Sequence, residues 1–180
     1  MKKFARLLVV SCLGTILSSP AFVAAQSVHV TGGGTATFGA DLDGDGEIDG
    51  SQFGMIVDIK GDGSAEGHLL FAMAGNFDFL ANMFSIQGPV TEGRVNSDGS
   101  VTFRGCGPMK QIGVTTIYTV PCGVPFEVTV KEGRRGHELG TLQFTAIGLF
   151  AGAPGDTDLT NNNYDQPTQT VRSGLIRIRR

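Results

Sequence analysis

The sequence predicts an all-β domain, an antiparallel barrel or sandwich of about nine or ten strands. Three observations carry that expectation. Short apolar runs alternate with turn residues along most of the chain. No stretch keeps a 3.6-residue apolar period between helix caps. Glycine is abundant at 27 of 180 residues, tryptophan is absent, and phenylalanine is the main aromatic. Such a composition suits many short strands joined by tight turns.

The chain opens with Met1, Lys2, Lys3 and Arg6, then an apolar stretch from Leu7 through Leu17. Ser18, Ser19, Pro20 and Phe22-Val23-Ala24-Ala25-Gln26 follow. A basic start, a short apolar run and small residues before a cleavage point characterise a secretory signal peptide. Residues 1–25 are expected to be removed, with Val23 and Ala25 read by the peptidase. Residues 26–180 then form a single domain. As a membrane anchor the run is too short to cross roughly 30 Å of hydrocarbon, and Pro20 follows it closely. Val9-Val10-Ser11-Cys12 fits a lipidation motif, but only Phe4 to Leu8 lie between the first charges and it. The mature chain is expected to be secreted or periplasmic, with no transmembrane segment.

The first strand is expected over Val28 to Phe38, interrupted by Gly32-Gly33-Gly34, which points to a bulge or a close backbone approach. Phe53 to Lys60 alternates, with Met55, Val57 and Ile59 on one face. Gly61-Asp62-Gly63 is a turn, and Gly67 to Ala74 is the next strand. Phe77 to Gln87 is apolar and is read as a strand. Gly93 to Asn96 and Ser100 to Arg104 flank Ser97-Asp98-Gly99, a hairpin signal with Val101 and Phe103 facing one way. Ile112 to Val120 is β-branched and suits a strand. Phe126 to Lys131 places Phe126, Val128 and Val130 on one face, and Leu142 to Leu149 is a further candidate. Gly152 to Gln169 is polar and reads as a long loop. The last strand, Gly174 to Arg179, points Ile176 and Ile178 inward and Arg177 and Arg179 to solvent.

Removing the signal segment takes away Lys2, Lys3 and Arg6 and no acid. That leaves 11 basic against 17 acidic residues, a net charge of −6. This balance argues against nucleic acid as a partner, since phosphate neutralisation needs basic patches. It argues equally against an anionic membrane surface. Arg172, Arg177, Arg179 and Arg180 form a local exception, read as a solvated strand face. About 155 residues remain, enough to bury a sizeable core.

Cys106 and Cys122 are the two cysteines of the mature chain. An even pair in an exported protein reads as a disulfide. Closing a loop of this length stabilises by about 3 kcal/mol in the chain-entropy model. Two free thiols are the alternative. No CxxC or nearby histidine completes a metal site with them.

The sharpest local feature is Asp41-Leu42-Asp43-Gly44-Asp45-Gly46-Glu47-Ile48-Asp49. Carboxylates at alternate positions converge on a hard cation such as calcium, which takes six to eight oxygen ligands. Asp41, Asp43 and Asp45 would offer side chains, Glu47 a backbone carbonyl, and Asp49 a direct or water-mediated contact. Ile48 would anchor the loop to the core. The twelfth position is Gln52 rather than Glu, and the flanks read as strands, so this is not an EF-hand. A calcium-type turn and an acidic, solvated turn both fit.

His29, His68 and His137 are scattered along the sequence. No nucleophile elbow, metalloprotease helix or phosphate loop is present. No catalytic residue and no organic cofactor is assigned.

Thr31-Gly32-Gly33-Gly34, Phe38-Gly39, Gly67-His68-Leu69, Phe126-Glu127-Val128-Thr129-Val130 and Ser173-Gly174-Leu175-Ile176-Arg177-Ile178 occur in an order that spans most of the mature chain. In these blocks the sequence resembles small exported bacterial β-domains of the post-COAP group. The resemblance implies a β-fold and export and carries no activity with it.

Together these features point to an exported, non-enzymatic β-domain used for binding or as a structural module. A calcium-stabilised binding protein is the second reading. A small extracellular hydrolase or cyclase with its site in a barrel mouth is the third. A polar pocket around His68 would favour that third reading, and a filled interior would count against it.

Overall fold

In the computed structural model, residues 27–42, 44, 46–74, 83–112, 122–133, 139–153 and 155–180 are described. Ten strands form among them: β1 (Val28–Thr37), β2 (Gly50–Ile59), β3 (Ser64–Ala74), β4 (Met83–Val95), β5 (Val101–Gly107), β6 (Met109–Ile112), β7 (Val124–Glu132), β8 (Gly140–Ala146), β9 (Tyr164–Asp165) and β10 (Gln169–Arg179). All pairings are antiparallel. The order β10-β1-β2-β3-β4-β5-β7-β8 returns to β10, so eight strands close a barrel. β6 adds to β4, and β9 adds to β8. Closure, rather than a two-sheet sandwich, removes the free edges that an open sheet would expose.

Alternation builds the core. Val28, Val30 and Ala36 of β1, Phe53, Met55, Val57 and Ile59 of β2, and Leu69, Phe71 and Met73 of β3 all point inward and are buried. The same period places Val101 and Phe103, then Phe126, Val128 and Val130, then Leu142 and Phe144, on the inner wall. β3 and β8 stand opposite each other across the barrel, and their rings meet. Phe71 and Phe144 stack with centroids 4.3 Å apart and planes 3° from parallel. Phe84 of β4 tilts against both at 6.0 Å. The lumen is therefore spanned by aromatic packing from wall to wall.

Several boundaries differ from the expectation. β4 is one strand, whereas two were read, over Phe77 to Gln87 and Gly93 to Asn96. It holds its ladder with β3 straight through Pro89, whose ring faces solvent opposite His68. β5 and β6 run along β4 in turn, from Val95↔Val101 to Val90↔Gly105 and on from Ile86↔Met109 to Met83↔Ile112. They are broken at Pro108, which lacks the donor a continuous ladder needs. The strand expected over Ile112 to Val120 lies outside the described residues except at its first position. β8 ends at Ala146, earlier than Leu149, because Ile147 and Gly148 turn the chain. The polar stretch Gly152 to Gln169 holds the short β9, and β10 starts at Gln169 rather than Gly174. The irregularity expected at the glycine run falls just beyond it, between Thr35 and Ala36, where β10 carries the extra residue Arg172. Gly34 and Gly174 face each other there with φ of 149° and 81°. A Cβ on Gly174 would lie 1.8 Å from the Gly33 carbonyl oxygen. This is the close backbone approach that the three glycines signal.

Candidate functional site

The loops β1–β2 and β8–β9 lie at one end of the barrel. Asp41 opens the acidic loop, half-buried. Its Oδ1 accepts the Gly44 N–H and its Oδ2 the Gly46 N–H, each at 2.8 Å. Its carboxylate thus organises the loop backbone. Asp43 and Asp45 lie outside the described residues. Glu47 is exposed, and so is Ile48, at 58 %. The expected anchor is therefore not Ile48. Leu42 takes that role, packed against the core, within reach of Gly155 on the facing loop. Asp49 turns inward at 4 % exposure. Its carbonyl accepts the Phe38 N–H at 3.1 Å, which closes the neck of the loop. Inward placement follows from period: Asp49 precedes β2, where Ser51 and Phe53 also face in.

The loop docks beside Tyr164, which is buried at 3 %. Burial, then the nearby Asp156 and Asp49 carboxylates, push the Tyr164 phenol well above its usual range. A phenol held neutral between two carboxylates is a structural link at neutral pH rather than a base.

The β8–β9 loop and β9 carry a second acidic series, Asp156, Asp158 and Asp165, in the stretch that the sequence predicts only as a polar loop. Burial raises the Asp156 carboxyl, but the backbone N–H groups of Gly152, Asp158 and Asp165 outweigh it and hold the group below its ordinary value. Asp158 accepts from the Thr160 hydroxyl and N–H and from Asn161 Nδ2, which also hold it low. Asn161 Nδ2 also reaches Asp165, whose other oxygen accepts the Thr145 hydroxyl at 2.8 Å. The spacing Asp-x-Asp-x-Thr was the available signal for this turn-forming series. Among the described residues, no three His, Cys, Asp or Glu side chains are grouped to hold a metal ion.

Just below, a buried polar chain closes the lumen. The Ser51 hydroxyl donates to Gln169 Oε1 at 2.6 Å, Gln169 Nε2 donates to Gln166 Oε1 at 3.1 Å, and Gln166 Nε2 reaches the Met73 sulfur. Both glutamines are fully buried. The Gln166 N–H donates to the Phe144 carbonyl, which seats this crossing segment on β8. Buried amides need such partners, because an unsatisfied one is costly.

Cys106 is the penultimate residue of β5, half-buried, and Cys122 lies exposed just before β7. The ladder sets Cys106 opposite Pro125, which brings the two thiols into contact. The Cys106 thiol is raised to about 11 by its hydrogen bond with Cys122, by burial, and by the charge Cys122 would carry. The expected disulfide is not formed here: both thiols are free, and the sulfurs are neighbours without being at bonding distance. The Cys122 thiol also approaches the Gly123 carbonyl, at 3.8 Å.

His68 points outward from β3 and is exposed, so it lines no lumen pocket. His29 is bonded to Asp58 at 2.6 Å on the outer wall. His137 lies outside the described residues. Two clefts among the described residues lie on the outer surface. One of about 440 Å³ runs along Ser64, Thr91 and Arg104. Another of about 410 Å³ lies between Asp98, Lys131 and Arg180. Arg104 and Arg94 both engage Glu127 beside the first. No helix among the described residues is long and apolar enough to cross a membrane. Comparison with protein-family models, with curated proteins and with solved structures finds no match for the chain.

Proposed function

We propose that this chain is an exported, non-enzymatic β-barrel that acts through its outer surface, as a binding or structural module. The observation that carries the reading is the filled interior. Phe71 and Phe144 stack across the lumen, and the Ser51–Gln169–Gln166 chain satisfies the polar groups beneath the mouth. Barrels that bind small ligands inside keep that volume open. The basic-apolar-small start of the chain supports export to the periplasm or medium, as does the resemblance to post-COAP β-domains. In an oxidising compartment, the adjacent Cys106 and Cys122 would close a disulfide. The test is a panel of ester, glycoside and phosphoester substrates plus an apolar fluorescent probe, applied to protein lacking residues 1–25. The expected result is no turnover above blank and no saturable probe binding. Turnover that falls in step with the folded fraction through a thermal melt would overturn it.

A second reading, a calcium-stabilised binding protein, is favoured by Asp41, which pins the loop backbone, and by Asp49, which is drawn inward. Asp41, Asp43, Asp45, Glu47 and Asp49 would supply the oxygens. A ligand that binds only the folded state raises its stability. Millimolar calcium should then raise the melting midpoint, and Asp43→Ala with Asp45→Ala should abolish the rise. A midpoint unmoved by calcium or chelator leaves the loop as an acidic turn.

A further inference from the structure

The outer wall of β10, β1, β2 and β3 forms a regular grid. In one row Leu175, Gly33, Gly54 and Leu70 stand side by side across the four strands. Gly33 and Gly54 lie in strand centres with ordinary backbone angles. Neither is required by internal packing. A Cβ on Gly54 would meet nothing within 4 Å, and one on Gly33 only a carbonyl at 3.7 Å. Glycine weakens a strand interior, and one that no internal crowding explains often marks a bend of the sheet or a site that a ligand or another backbone approaches closely. The flanking side chains are unusually bare: Ile56 is 53 % exposed, Leu70 44 % and Leu175 41 %.

Two rows along, beyond the one that carries Ile56, stands a row of Arg179, His29, Asp58 and Glu66 in that order across the same strands. Its charge runs from basic to acidic. The glycine row is symmetric about the β1–β2 seam, and the charged row is antisymmetric about it. A two-fold axis along that seam therefore sets Arg179 on the partner's Glu66, His29 on the partner's Asp58, and the glycine pair on the partner's glycine pair. An isologous interface requires this self-complementarity. Curvature fits as well. The central columns form the crest of a convex wall, and glycines there lower it, so that the leucines on either flank help to fill the widening gap.

We propose that this face is the interface of a two-fold homodimer, formed by a second copy of the chain seated across the β1–β2 seam. This goes beyond the reading of the barrel as a non-enzymatic module and does not depend on it. Four strands at about 4.8 Å and four rows at about 6.8 Å cover roughly 500 Å² of sheet per partner. That is toward the small end for a specific interface, so the dimer should exchange with monomer.

The experiment is sedimentation velocity on protein lacking residues 1–25, over a roughly hundredfold concentration series. Wild type should pass from monomer to dimer as concentration rises, and added salt should shift the transition to higher concentration. Gly54→Lys adds a side chain into open space, so it should fold with wild-type circular dichroism and remain monomeric throughout. Arg179→Glu should weaken dimerisation at least about tenfold, and Arg179→Glu with Glu66→Arg should restore it. A wild-type protein that stays monomeric across the series would overturn the proposal. So would a Gly54→Lys protein that dimerises as wild type does, and so would failure of the charge exchange to restore association.

Discussion

At the scale of the residue, the most informative groups are those buried despite being polar. Gln169 accepts from Ser51 and donates to Gln166, and both glutamines are sealed from solvent. Gln169→Leu keeps the volume but strands the Gln166 oxygen and the Ser51 hydroxyl. It should destabilise by about 1–3 kcal/mol, read as a lower urea midpoint. An unchanged midpoint would mean that the chain is not needed to plug the lumen. The carboxylates of the β8–β9 loop behave differently, because they trade water for backbone N–H groups. Asp156 and Asp158 sit below their ordinary 3.8 in the folded state, so folding favours their charged forms. The stability they add is present above pH 4 and is lost as pH falls through their lower folded values. Asp156→Asn should flatten the acid limb of a stability-against-pH curve, and a limb of unchanged steepness would exclude the role. The Asp156–Asp158 series carried a signal in its Asp-x-Asp-x-Thr spacing, but the buried glutamines carried none. Gln166 and Gln169 lie in a run of Asn, Asp, Thr and Pro that carries no period. Burial there is imposed by the chain crossing a barrel mouth. Asp41 to Asp49 was legible as a loop with special chemistry, but its anchor was not: Leu42 packs inward and Ile48 outward, because turns with glycines at φ near 90° break the strand alternation.

At the scale of the element, alternation was the reliable signal. Phe126, Val128 and Val130, or Met55, Val57 and Ile59, face inward as a period of two requires. The failures come where glycine and proline have a tertiary meaning that local rules cannot supply. The sequence predicts separate strands over Phe77 to Gln87 and Gly93 to Asn96, yet β4 runs through Gly88 and Pro89 because its proline faces solvent. The hairpin at Asn96–Ser100 was read correctly, since Gly99 takes a φ of 84° and Asp98 accepts both the Ser100 N–H and hydroxyl. Those contacts and Lys131 hold the Asp98 carboxyl down at about 2. Ring packing across the lumen was beyond sequence reading altogether. Phe71 and Phe144 are 73 positions apart in the chain, and only closure brings them face to face. Their stack is the test of how tightly the lumen is filled. Phe71→Ala should cost about 3–5 kcal/mol, since the barrel wall cannot collapse into the space. The same cavity should make the variant bind a small aromatic such as benzene, which wild type should not. A loss below about 1 kcal/mol would show that the ring is not part of a close-packed core.

At the scale of the whole molecule, closure is uneven. β2 and β3 pair continuously from Gly50↔Ala74 to Ile59↔Ala65. β1 pairs with both of its neighbours along its length. The seam that completes the ring is much shorter, with β10 and β8 matched at Gln169↔Leu142 and Thr170↔Thr141 among the described residues. Toward the other end, β10 is held to the hairpin after β4 by Arg180, which donates to the Gly99 carbonyl at 3.3 Å, an exposed and weak tie. The cleft between Asp98, Lys131 and Arg180 opens beside this point. A ring fails first where the fewest backbone bonds must be broken, and local opening requires less free energy than global unfolding. Native-state hydrogen exchange should therefore find amides of β2 and β3 protected to the level of global unfolding. Amides of β8 and of the first half of β10 should open in a separate, lower-energy step. Gln169→Leu should lower that step further, because Gln169 belongs both to the seam and to the plug. In the β2–β3 region the variant's change should not exceed its loss in global stability. If β8 and β10 exchange together with β2 and β3 in one step, the seam is as strong as the rest of the ring, and side-chain packing across the lumen, rather than strand pairing, sets the order of opening.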